Sequence, residues 1–156
     1  MTVDAFLSQR RILVRRIENK AAHLRQLEEQ KDAVMSLWGE HRGTNTHDAP
    51  YVRILERIEA LRSELEADRD ALLLLTGQMM DLLYALPEER MKDVLVLRYL
   101  EGKSYQEIGD CLHIDKGTAK RWQTRALGML ELPEQPVRIT PDILQRGATE
   151  CNGMPT

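Results

Sequence analysis

Apolar residues recur every seven positions along the middle of this chain. Tyr51, Ile58, Leu65, Leu72, Met79 and Leu86 form one row; Ile54, Leu61, Leu75 and Leu82 form the other. Only Asp68 breaks the pattern. Two apolar positions per heptad, sustained over about five heptads, predict a long helix with a coiled-coil-like seam over residues 51–86. At about 1.5 Å per residue that helix spans roughly 54 Å. Upstream, Leu7, Val14 and Ala21 fall seven apart, as do Ile17 and Leu24, and the stripe runs on through Leu27, Val34 and Trp38. Residues 2–40 therefore read as a first helix. Between the two, residues 39–50 hold glycines, a proline and polar residues without period, which marks a loop. Two helices of similar length joined by a short loop are expected to fold back antiparallel.

The pattern changes after Pro87. That residue is expected to end the second helix and open the next at its first turn, with Glu88 and Glu89 beside the helix N-terminus. Three short helices follow, over residues 88–100, 104–112 and 116–130. The module reads as self-contained. In the middle helix Tyr105, Ile108, Cys111 and Leu112 form an inward face, with Cys111 as a small core residue. Ser104 with Glu107 makes an S-x-x-E capping box. His113-Ile114-Asp115 interrupts the period, and Asp115 is placed to cap the last helix through the backbone N–H groups of its first turn. There Ala119, Trp122, Ala126 or Leu127, and Leu130 face inward. Lys116, Lys120, Arg121 and Arg125 are left facing outward, with no acidic residue among them. A short helix, a turn and a basic helix is the arrangement that enters a DNA major groove. Gly117 permits close backbone approach, and the Thr118 hydroxyl is a phosphate donor. The candidate DNA-binding residues are thus Lys116, Gly117, Thr118, Lys120, Arg121 and Arg125.

Residues 86–131 resemble region 4 of sigma-70-type factors, particularly the extracytoplasmic-function kind. The resemblance is carried by Leu86 and Pro87, by Leu97, Arg98, Tyr99, Glu101, Gly102, Ser104, Tyr105, Glu107 and Ile108, and by Gly117, Thr118, Lys120, Arg125, Ala126 and Leu127. His113 stands where a turn glycine is usual, and Arg121 and Trp122 interrupt the usual K-S-R run. No region 2 precedes the module, so a complete sigma factor is not expected. A helical hairpin followed by a lone region-4-like module is similar to the ArpU-like and RinA-like regulators of phages and prophages. That resemblance implies control of late or lysis-related genes and makes RNA polymerase a partner to test. The rival readings are a small terminase subunit recognising viral DNA, and a polymerase-binding interaction protein.

Composition narrows the picture little further. Charged residues make up 30% and aromatics 4% of the 156, which suits long exposed helices. A net charge of −3 argues against a general nucleic-acid coat, but affinity follows the local phosphate-facing charge. Arg10, Arg11, Arg15, Arg16 and Lys20 form a second basic cluster, read as a solvated flank of the first helix, with contact to a DNA backbone or a partner as the alternative. Cys111 and Cys151 suggest no disulfide framework. His41, His47 and Asp48 lack the spacing and the fourth ligand of a metal site. No phosphate-cradling loop, zinc-protease motif or nucleophile elbow occurs, so no catalytic residue, metal or cofactor is expected. The longest apolar run, residues 71–75, is too short for a membrane span, and no secretory leader is apparent. The expectation is an all-α cytoplasmic protein with three parts. Residues 1–86 form an antiparallel helical hairpin, which is also the candidate homodimer contact. Residues 87–131 form a helix-turn-helix module binding double-stranded DNA. Residues 132–156, rich in proline and glycine, form a disordered tail.

Overall fold

A computed structural model describes residues 1–39 and 49–139. Within them the chain is all-α. Helix α1 spans Val3–Gly39 and α2 spans Ala49–Tyr84. Helix α3, Glu89–Leu95, runs directly into a π-helical turn, Val96–Leu100; α4, Tyr105–Leu112, and α5, Lys116–Gly128, complete the fold. The expected loop and the three candidate metal-site residues within it fall mainly at residues 40–48, outside the described part.

The antiparallel course of α1 and α2 shows in their ion pairs. Lys20 meets Asp68 at 2.8 Å and Glu64 at 3.6 Å, and farther along α1 Glu28 meets Arg62 at 2.7 Å. Position numbers rise in one helix as they fall in the other. The seam between them buries Leu27, Ile58, Leu65, Leu75 and Met79. Asp68, the one residue out of pattern, is also buried, and the Lys20 ammonium neutralises it. A carboxylate in an apolar seam is tolerated only with such a partner.

Pro87 does not open the next helix. Glu88, with extended backbone, is the N-cap of α3, and Pro87 lies in the link before it. The helix expected over residues 88–100 changes hydrogen-bond register midway. The Glu101 N–H donates to the Val96 carbonyl five residues back, and the Lys103 N–H donates to the Leu97 carbonyl. Gly102, at φ 71°, then turns the chain toward α4.

The core is continuous from hairpin to helix-turn-helix. Phe6, Leu7 and Leu13 of α1 and Leu75, Met79 and Leu83 of α2 pack in one cluster with Met91, Leu95, Tyr99 and Ala126. The module is therefore not self-contained: it shares its core with the base of the hairpin. A second, smaller cluster of Val94, Ile108 and Ala119 holds α3, α4 and α5 together.

The start of the tail is ordered. Leu132, Val137 and Ile139 pack on the main cluster. Gln9 donates its side-chain N–H to the Val137 carbonyl at 2.9 Å and accepts from the Ile139 N–H at 3.0 Å. Gln78 does the same two residues earlier, donating to the Gln135 carbonyl and accepting from the Val137 N–H, each at 2.8 Å. Two buried or half-buried glutamine amides thus satisfy the backbone of an extended segment that has no secondary structure of its own. The expectation of a disordered tail is corrected for residues 132–139; the remainder lies outside the described residues. Among the described residues no helix is long and apolar enough to cross a membrane.

Candidate nucleic-acid interface

The turn between α4 and α5 is built on a close backbone approach. The Ile114 N–H donates to the Gly109 carbonyl at 3.0 Å. A Cβ at position 109 would lie 2.6 Å from the Ile114 carbonyl oxygen, so only glycine fits. His113 ends α4 in the left-handed region, at φ 57° and ψ 45°, in the position where a glycine was expected. Ser104 caps α4 as its motif predicts: its hydroxyl oxygen accepts from the Glu107 N–H at 3.2 Å, and its hydroxyl donates to the Glu107 carboxylate at 3.1 Å.

One inward assignment fails on α4. Cys111 is exposed, and Gly109 occupies the buried position beside Ile108. With barely two turns of helix, the apolar face was drawn one residue too wide. Cys111 is thus a surface thiol and not the core residue that the spacing predicts.

On α5, Ala119 and Ala126 are fully buried and Trp122 is half-buried against both apolar clusters. Arg90 lies over the Trp122 ring at 5.7 Å, which further occupies that indole. Lys116, Gly117, Lys120, Arg121 and Arg125 are exposed, and Thr118 is half-buried at the first turn. The four cations thus share the solvent side of a helix that carries no carboxylate of its own.

Two of these residues are tied down locally. Asp115 is the N-cap of α5, but its carboxylate accepts from the Thr118 hydroxyl and makes no side-chain bond to a backbone N–H of the first turn. That hydrogen bond, the largest influence, followed by the nearby backbone N–H groups of Asp115 and Thr118 and then the Arg121 charge, holds the Asp115 carboxyl below its ordinary range. Thr118 in turn accepts from Arg121 at 3.0 Å. The Thr118 proton is therefore already committed, and a phosphate contact through it requires exchange of partners. Gly117 is under no comparable constraint: a Cβ there would meet only the Asp115 carboxylate, at 3.3 Å. Its missing side chain leaves the start of α5 open to a close neighbour.

Residues outside the candidate set enlarge the surface. The Tyr105 ring lies between two cations, the Arg98 guanidinium at 4.2 Å and the Lys120 ammonium at 5.2 Å. Lys120 is thereby positioned across the α4–α5 junction. The sequence carried the signal in its L-R-Y and S-Y pairs, but the stacking brings together three separate elements and is not a local pattern.

Behind α5 a polar chain links it to the hairpin. The Gln123 amide donates to the Tyr99 hydroxyl at 2.9 Å, and that hydroxyl donates to the Asp4 carboxylate. Burial, and then the hydrogen bond to Asp4, push the Tyr99 phenol well above its ordinary value. Nearby, Arg10 donates to the Leu100 carbonyl at 2.8 Å. The five N-terminal cations are accordingly not one solvated flank. Arg10 braces the π turn, Arg16 is buried, and Lys20 pairs with Asp68; only Arg11 and Arg15 are exposed.

Comparison with known families agrees with this geometry. The sequence model described as sigma-70, region 4 matches residues 83–131, so that stretch is a region-4-like helix-turn-helix, a domain type with a DNA-binding regulatory role. No curated protein and no solved structure matches the chain.

Proposed function

We propose that the chain is a sequence-specific regulator of transcription that binds double-stranded DNA through α5 and has no catalytic activity of its own. The observation that carries this reading is the exposed, acid-free basic face of Lys116, Lys120, Arg121 and Arg125 on the second helix of a region-4-like fold. Such a face neutralises phosphates while the helix reads base edges. The phage setting, with late or lysis-related target genes, rests on the resemblance of the hairpin-plus-module layout to ArpU-like and RinA-like regulators. RNA polymerase is the protein partner that the region-4 likeness favours.

Self-association through the hairpin has its own support. Leu73, Gly77, Met80 and Tyr84 are exposed on α2 and recur at steps of four, three and four, one side of the helix. Leu73 is 74% exposed, a cost that a second copy would remove. A dimer places two α5 helices on one duplex.

Selection of duplexes from a random pool by the full chain tests the reading. Enrichment of a two-part motif is expected, with a dimer by light scattering. No enrichment at low salt would overturn DNA binding, and a ring-sized oligomer would instead fit a terminase small subunit.

A further inference from the structure

A cleft of about 380 Å³ opens where the hairpin meets the helix-turn-helix. Its walls come from the first turns of α1, the end of the π turn, Glu101 and Gly102, the starting residue of α4, and Gln123 of α5. Three guanidinium groups line it, those of Arg10, Arg11 and Arg98, against the carboxylates of Asp4 and Glu101. Asp4 is engaged by the Tyr99 hydroxyl. The balance of free charge is positive.

Two buried polar atoms in these walls have no hydrogen-bond partner among the described residues: the Arg10 Nε and the Gln123 Oε1. Gln123 is nine-tenths buried. A buried guanidinium N–H left unpaired is costly and calls for an acceptor. Arg11 is exposed and makes no ion pair among the described residues. The rim of the cleft is Tyr105, the ring that Arg98 and Lys120 cover. The cleft is thus continuous with the basic face of α5 through a stacked cation that belongs to that face.

We propose that this cleft holds a phosphate group, supplied by the DNA backbone beside the segment that α5 enters, so that the hairpin itself takes part in DNA contact through Arg11 and Arg10. The proposal rests on the reading of α5 as a DNA-binding helix. A phosphate offers acceptors to the exposed Arg11 fork, the geometry for which arginine is suited, and reaches the buried Arg10 Nε only with a small shift of that side chain. The Gln123 carbonyl needs a donor that a phosphodiester lacks; a water carried in with the phosphate supplies it.

The test compares full-length wild type, Arg11→Ala and Arg15→Ala on one selected duplex across a salt series. Arg15 is the next exposed arginine of α1 and does not line the cleft. Loss of one phosphate contact lowers the salt slope by about 0.9 and the affinity roughly three- to tenfold. That change is expected for Arg11→Ala and not for Arg15→Ala. Equal losses in both variants would show general charge attraction and overturn the proposal. An unchanged slope in Arg11→Ala would overturn the DNA source. A parallel arm uses inorganic phosphate against chloride at equal ionic strength. A rise in melting temperature that Arg11→Ala abolishes would support a phosphate cleft fed by a free phosphate compound; no rise, with an unchanged DNA slope, overturns the cleft altogether. If the wild type binds no duplex, the reading of α5 fails, and the phosphate arm still decides the cleft.

Discussion

A methyl group at position 109 has no space, because its carbon would sit 2.6 Å from the Ile114 carbonyl oxygen. Gly109→Ala gains helix propensity of about 1 kcal/mol but incurs an overpacking cost of about 1–3 kcal/mol and forces the turn to shift. A lowered melting temperature and weakened DNA binding are expected together; an unchanged melting curve would mean that the turn relaxes freely. Tyr99 offers a second test at this scale. Tyr99→Phe leaves the buried Gln123 amide without its partner, while the exposed Asp4 carboxylate turns to water, and should cost about 1–2 kcal/mol in thermal unfolding; an unchanged transition would mean that the chain of bonds adds nothing to stability. Asp115 supplies a pH test. Its folded-state pKa lies below the ordinary 3.8, so the stabilisation it brings is present above that pH and is lost as pH falls through the lower folded value. Thr118→Val removes the largest cause of the shift. Carboxyl titration by NMR should then return Asp115 toward the ordinary range; a titration that stays low would assign the shift to the backbone N–H groups and Arg121 instead.

At the scale of elements, the heptad made the hairpin legible, since a period of seven over two long helices has few other meanings. The residue that broke the period was not legible, because the reason for Asp68 is Lys20, 48 positions away. Asp68→Leu leaves the Lys20 ammonium, 14% exposed, with only the more distant Glu64 at 3.6 Å and should destabilise the hairpin, whereas the joint change Asp68→Leu with Lys20→Met should be near neutral. A double-mutant cycle of Asp68→Leu, Lys20→Met and the joint variant by chemical denaturation checks this, and a joint loss equal to the sum of the two single losses would show that the pair contributes nothing by its charge. The short helices were harder to read. Eight residues of α4 give no unambiguous face, so helical spacing alone does not tell the exposed Cys111 from the buried Gly109. The π turn had no local signature at all; it follows from seating Tyr99 and Leu100 against α1, a demand of tertiary packing. The basic face of α5 was legible because it needs only helical spacing and charge, but the commitment of the Thr118 proton to Asp115 was not.

Taken whole, the molecule has one core running from the hairpin base into the helix-turn-helix, closed by residues 132–139. The likeness over residues 83–131 marks a family module, yet that module does not bury its own apolar surface. Leu95 and Tyr99 lean on Phe6 and Leu7, and Gln9 anchors the returning segment. A fragment of residues 86–131 should therefore show less helix by circular dichroism than the same segment contributes in the full chain. Recovery of full helicity and a sharp melting transition in the fragment would show that the shared core is dispensable. This arrangement fixes the orientation of α5 relative to the hairpin.

The central claim is that DNA is held by the exposed cations of α5. It is tested most directly by the salt dependence of duplex binding for the full chain and for Lys120→Ala/Arg121→Ala, with helicity measured alongside. Both side chains are on the surface, so the fold is expected to remain intact. The account predicts weaker binding to all duplexes and a salt slope reduced by up to about two units. Unchanged affinity and slope, with helicity retained, would contradict it and move the DNA contact away from this helix.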